Sequence, residues 1–241
     1  MQHGHKKLGQ ACAVSRSIGL KLVSSDLDVL CIDSYKGAPN DMWRFRVFNP
    51  FNFDPDVAIP VPRQKEKSHS IEGVWQGLKI VDGNVDFGMF RIAPYHRPPE
   101  YRKRLRSYAY QNTTFLYGNR IIGLIEARFV IYLPTYLYML EHLMSVSVLD
   151  EIFAALCQGR DIAFFDWDSN HDIMNATISF SHSAILAAWF NGLLDEAYLI
   201  PARQLALSSS EESDVVAMVG GHLVRYRQYL SARASMLASR L

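Results

Sequence analysis

The chain has little of what usually announces a function. Among its 241 residues there are only three cysteines, Cys12, Cys31 and Cys157. An odd number without a CxxC pair excludes a disulfide framework and a zinc ribbon. It points to reduced, mostly buried thiols in a cytoplasmic protein. Neither sign of charge dominates: 25 Lys and Arg against 24 Asp and Glu leave a net charge of +1. No global field draws in nucleic acid or an anionic membrane, so any such binding is local. A long uncharged apolar run is also missing. The most apolar stretch, Ile121 to Met144, is interrupted by Glu126, Arg128, Glu141 and His142, whereas a membrane span needs about 20 nearly uncharged residues. The opening MQHGHKKLGQ has no apolar signal-peptide segment. HExxH, GxGxxG and the P-loop pattern do not occur, which removes zinc proteases, Rossmann cofactors and P-loop nucleotides from consideration. There is no internal repeat.

What is present suffices for a packed domain, since 49% apolar and 20% charged residues can bury a sizeable core. Leu27 to Ile32 and Trp43 to Phe48, rich in β-branched and aromatic residues, predict strands. Four prolines between Asn49 and Arg63 predict an extended, irregular connection. The first strong helix is expected from Ile71 to Val81, with Ser70 as N-cap and Gly83 beyond its end. Ile71, Trp75 and Leu78 form its core stripe, and Glu72, Gln76 and Lys79 repeat that spacing beside it. Further helices are expected over Arg120 to Leu133 and Thr135 to Met144, with Pro134 either kinking one helix or starting another. Leu149 to Gln158 predicts a helix and Asp161 to Phe165 a buried strand, and Ser181 opens a helix that Gly192 ends. The order predicts a helix-dominated α+β single domain with a small β-sheet. Residues 1–24 read as an N-terminal extension, 25–205 as the domain, and 206–241 as a linker with a basic amphipathic C-terminal helix.

Several clusters invite chemistry. Asp166, Asp168 and Asn170 alternate directly after an apolar strand. A calcium loop is excluded, because its sixth and twelfth positions need Gly and Glu and here hold His171 and Thr177. A strand followed by DxD also fits a magnesium-dependent phosphohydrolase centred on Asp166 and Asp168. The simpler alternative is an Asx-rich turn that satisfies its own backbone. Arg97, Arg102, Lys103, Arg104 and Arg106, interleaved with Tyr95, Tyr101 and Tyr108, form either a solvated face or a contact for phosphate and nucleic acid. Arg128, Tyr132 and Tyr136 share one helical stripe, a spacing more common in cores than in sites. An arginine among aromatics needs a partner, either Glu126 or a ligand.

The segment SIEGVWQGLK, Ser70 to Lys79, resembles the signature of the NADAR (YbiA-like) superfamily. There a small residue precedes a hydrophobic-Glu pair, followed by aromatic-Gln and then Lys. EARFVIYLPTY, Glu126 to Tyr136, and DWDSNHDIMNATISFSH, Asp166 to His182, stand where that family has a long helix and a late acidic residue. The likeness extends over residues 25–195 and is closer still to an uncharacterised, divergent branch. The family's usual Trp at the start of the downstream helix is missing, and Arg128 or Tyr132 stands near its place. The resemblance implies a YbiA-like fold and an N-glycosidase without cofactor, hydrolysing the N-ribosyl bond of a phosphorylated or ADP-ribosylated nucleobase-type substrate. It makes Glu72 the principal catalytic carboxylate with Asp166 beside it. Trp75, Gln76, Lys79, Arg128, Tyr132, Tyr136, Asp168, Asn170 and His182 would then bind the substrate. A carboxylate suits an oxocarbenium-like state, and an amide and an ammonium suit ribose hydroxyls and phosphate. The competing class is a module that holds ADP-ribose or a nucleotide without cleaving it. Glu72 also has a structural alternative, a first-turn acid that complements the helix dipole.

His222 to Leu241 carries four arginines and no acid, with Leu223, Tyr226, Leu230, Leu237 and Leu241 at roughly helical spacing. Such a helix packs back on the domain, pairs with a second subunit or meets an anionic surface. Truncation after Leu207 is expected to leave a folded, active core and to change the oligomeric state or substrate recruitment. Gel filtration and a base-release assay on residues 1–207 check this, and an insoluble or inactive product would place the tail in the core.

Overall fold

The computed structural model describes residues 8–25, 27–35, 40–97, 110–203 and 205. The basic residues 102–106, the linker and the expected C-terminal helix lie outside them. Three short apolar stretches build the central sheet: β1 (Ala11–Ser15), β2 (Val29–Asp33) and β7 (Asp161–Asp166). All are parallel, in the order β1-β7-β2. The middle strand is the near-continuous apolar run DIAFFD, as a parallel strand covered on both faces requires.

Helix α1 (Arg16–Val23) returns the chain from β1 to β2 and lies on one face of the sheet. Its approach is close: a Cβ at Gly19 would stand 2.2 Å from the Phe165 ring. The Asn191 side chain accepts the Ala11 N–H at 2.9 Å and donates to the Ala11 carbonyl at 2.7 Å. The segment expected to precede the domain therefore supplies one of its strands and a covering helix.

After β2 the backbone forms a 3-10 helix, Asn40–Phe48, in place of the strand expected over Trp43 to Phe48. Phe45 and Phe48 are both fully buried. Burial three residues apart suits a three-residue turn, whereas a strand would send them to opposite faces. The proline-rich connection is extended as expected and pairs only at β3 (Ile59–Pro60) with β4 (Lys67–Ser68). Helix α2 (Ile71–Leu78) then starts at Ser70, whose hydroxyl accepts the Gly73 N–H at 3.0 Å. All eight of its residues are buried. It stops three residues short of Val81, because Lys79 turns extended to bridge Phe115.

A hairpin of β5 (Thr114–Tyr117) and β6 (Arg120–Gly123) takes the first residues of the expected helix over Arg120 to Leu133. One continuous helical run follows: α3 (Leu124–Ala127), a π-turn over Arg128–Tyr132, and α4 (Leu133–His142). Pro134 starts no separate helix; the wide turn lies immediately before it, where the missing N–H would disturb a regular ladder. Helices α5 (Val146–Cys157), α6 (Ser183–Asn191) and the short α7 (Ile200–Ala202) complete a helix-dominated α+β domain with small sheets. The three cysteines are free, with Cys31 buried, Cys157 half-buried and Cys12 exposed, so only one fits the expectation of buried thiols. Among the described residues no helix is long and apolar enough to cross a membrane.

Gly19→Val is expected to destabilise the protein by about 1–3 kcal/mol, because Phe165 is buried and its ring cannot retreat. Chemical denaturation checks this; an unchanged midpoint would mean that α1 does not hold to the sheet.

Candidate functional site

The carboxyl ends of β2 and β7 open onto a cavity of about 260 Å³. Its walls include Tyr35, just after β2, and Asp166 to Asp168 at the end of β7. This is the side on which open parallel sheets hold ligands. Glu72, Trp75 and Gln76 reach it from α2, Arg128 and Tyr132 from the π-turn, and His182 from the start of α6. Eight of the residues singled out in the sequence thus meet on one cavity, although nearly a hundred positions separate Glu72 from Asp166.

On the α2 side, Glu72 is only 6% exposed. Its Oε1 accepts the Gln76 amide at 2.7 Å, one helical turn on, and His96 Nδ1 stands 3.8 Å away. Gln76 Oε1 in turn accepts the Arg97 backbone N–H at 3.1 Å. The Arg97 guanidinium donates to the carbonyls of Gln76 and Lys79 at 2.8 Å and of Asn84 at 3.3 Å. Expected on a solvated face or at a phosphate or nucleic-acid contact, it instead closes the C-terminal end of α2, whose carbonyls need donors. Lys79 is fully buried beyond the helix end and does not line the cavity.

The opposite wall is built on Asp166. Its Oδ1 accepts the Asp168 N–H at 2.6 Å. Its Oδ2 accepts the hydroxyls of Ser181 at 2.8 Å and Ser183 at 3.2 Å, and His182 Nδ1 at 3.0 Å. His182 Nε2 lies 3.1 Å from the Ser34 carbonyl. A carboxylate and a carbonyl only accept, so the two contacts favour a proton on both ring nitrogens, the imidazolium form of His182. Burial alone would push its pKa down, but Asp166 and the Ser34 carbonyl outweigh that and raise it. Burial likewise pushes Asp166 up, and the His182 charge, with hydrogen bonds from His182, Ser181 and the Asp168 N–H, brings it below the usual carboxylate range. With Oδ1 bonded to the Asp168 N–H and Oδ2 to two hydroxyls and His182, Asp166 is held in place on the cavity wall. Among the described residues no three His, Cys, Asp or Glu side chains gather as a metal-holding group.

Arg128 is 1% exposed and holds the following loop. Nη1 donates to the carbonyls of Ile173 and Asn175, and Nη2 to that of Ile178, at 2.7–2.8 Å. Glu126, the partner considered for it, pairs with Arg120. Asn170 does similar work, its amide donating to the carbonyls of Asn175 and Ile178, and it stays off the cavity wall. Tyr136 is also off the wall, donating its hydroxyl to the Phe48 carbonyl at 2.6 Å while its ring lies 5.6 Å from His182. Tyr132, by contrast, turns to the cavity beside Trp75 and Phe180, at 5.4 and 6.5 Å between ring centres. The sequence reading missed Tyr35, Asn49, His96, Tyr110 and Trp167. Only Trp167, inside DWD, carried a signal.

Cavity and fold define a helix-dominated α+β protein with a pocket of about 260 Å³ at the edge of a parallel sheet. The chain belongs to a family of unknown function (DUF6939), whose sequence profile matches residues 25–186. No curated protein and no solved structure matches it.

The raised His182 contributes stability below its ordinary pKa of about 6.5, and this is lost as pH rises through the folded value. The depressed Asp166 contributes above about 3.9, and this is lost as pH falls through its folded value. Unfolding free energy should therefore be highest between about pH 4 and 6.5 and decline above it. His182→Gln should abolish the upper decline and cost about 3 kcal/mol by leaving a buried carboxylate unpaired. Denaturant titrations from pH 5 to 9 check both; parallel pH profiles in the two proteins would refute the ion pair.

Proposed function

We propose that the chain is an N-glycosidase that hydrolyses the N-ribosyl bond of a phosphorylated or ADP-ribosylated nucleobase-type substrate. The observation that carries this reading is α2 itself, a helix buried along its whole length that nonetheless presents Glu72 and Gln76 to a cavity. Buried polar groups need partners, and the same two residues carry the resemblance to NADAR enzymes. Glu72, oriented by the Gln76 amide, stabilises positive charge on the ribose or activates water. Trp75, Tyr132 and Phe180 supply apolar faces for a base. The Tyr132 hydroxyl has no protein partner among the described residues and is free to bond the substrate. Asp168, half-buried on the same cavity, is the second carboxylate within reach, while Asp166 holds the wall through His182. Free thiols support a reducing compartment, the cytoplasm.

Glu72→Gln should lower base release by at least about 100-fold while preserving ligand binding and thermal stability. Chromatography of released base from ADP-ribosylated and ribosyl-phosphate substrates, with and without EDTA, is the measurement. Full activity in the variant makes Glu72 structural. Tight binding without turnover in the wild type identifies a binding module, and metal-dependent phosphate release a phosphohydrolase.

A further inference from the structure

The cavity is smaller than the roughly 300–1,000 Å³ of pockets that enclose a whole small-molecule ligand, so a nucleotide-sized ligand seated at Glu72 extends past its mouth. What stands there is an ordered cluster. Trp167 is 61% exposed and Tyr35 meets it edge-on at 5.2 Å. Both rings line the cavity. The Arg16 guanidinium lies 4.7 Å from the Trp167 ring centre and 5.5 Å from that of Tyr35. It is held by Asp33, which accepts Arg16 Nη1 at 2.9 Å and, through its other oxygen, the Tyr35 N–H at 2.9 Å. Asp33 is itself 2% exposed.

These residues have one origin in the topology. Arg16 follows β1, Tyr35 follows β2 and Trp167 follows β7, so all three gather at the carboxyl edge of the parallel sheet. The Nε and Nη2 groups of Arg16 have no protein partner among the described residues, and neither has the Tyr35 hydroxyl or the Trp167 indole N–H. Arg97, one candidate phosphate contact in the sequence, is committed to carbonyls.

We propose that Arg16, Tyr35 and Trp167 form a second subsite, which stacks a planar heteroaromatic ring and pairs its adjoining phosphate with Arg16. The inference rests on the N-glycosidase reading for what fills the inner cavity, and it names the ligand class as one with a nucleotide unit beyond the reacting ribose. Trp167 supplies the ring face, and Arg16 supplies the remaining fork of a guanidinium that Asp33 has already oriented. Arg16 lies outside the stretch matched by the family, so chains of this family can share the Glu72 site and differ in this subsite.

Titration calorimetry of the full-length protein with AMP, adenosine, ADP-ribose and ribose 5-phosphate tests this. Wild type should bind ADP-ribose about ten-fold or more tighter than ribose 5-phosphate, the worth of one stacked base. Trp167→Ala should collapse that ratio toward one, and Trp167→Phe should restore part of it. Arg16→Gln should remove the preference for AMP over adenosine and flatten its dependence on salt. Equal affinities for ADP-ribose and ribose 5-phosphate in the wild type, or an unchanged ratio in Trp167→Ala, would overturn the subsite. Binding of AMP that responds to Trp167 and Arg16 without any base release would retain the subsite and reject the glycosidase instead.

Discussion

The contact between Asp166 and His182 ties together pieces of chain that lie far apart in sequence. One carboxylate, at the end of the central strand, binds the Asp168 backbone, two serine hydroxyls at the start of α6 and an imidazolium. That imidazolium in turn holds the carbonyl of Ser34, the residue after β2. Two strands, a loop and a helix are thereby fixed at the edge of the sheet where the cavity begins. A pair this deep is strongly destabilising to break from one side only, since the remaining charge has no water to turn to. The cavity therefore has one wall set by electrostatics and another set by a buried helix.

Irregular chain makes up much of the rest, and it is held by guanidinium groups. Arg97 gathers three carbonyls around the end of α2, and Arg128 gathers three from the loop between Ile173 and Ile178. Backbone carbonyls outside helices and sheets still need donors when buried. A planar fork with five N–H groups can meet several at once from a single position. From the sequence, each arginine had a ligand as only one of its alternatives, beside a solvated face for Arg97 and Glu126 for Arg128. Their burial in carbonyl cages explains how a cavity can be bordered by so little regular structure.

How far the sequence could be read depended on whether the signal was local. Ser70 as a cap, the apolar run of β7 and Gly192 at the end of α6 were legible because each follows from neighbouring residues. The pairing of Glu72 with Gln76 was legible for the same reason, the two being one turn apart on a short helix. Lys79 was not, because the helix ends before it to meet a strand 36 positions later. Tyr136 was misplaced because the π-turn shifts the stripe that starts at Arg128, so the third residue faces the core rather than the cavity. The Tyr117 to Arg120 turn, with Gly118 in the left-handed region, was an available hairpin signal masked by the apolar run that follows. Tyr35, His96 and Tyr110 stand on irregular segments, where position comes from distant packing and leaves no periodicity to read.

Strand β1 has a bearing on how the molecule can be divided. The stretch shared with the family runs from residue 25 to residue 186. A chain cut to that length would lose β1 and, with Asn191, the side chain that ties β1 in place. β7, central in the intact sheet, would become an edge strand, with four apolar residues and a row of unpaired N–H and carbonyl groups along its open edge. Edges of that kind recruit other chains. The shared stretch thus omits a strand and a tie that complete the sheet, and self-association of that stretch in isolation would say nothing about how the whole protein assembles.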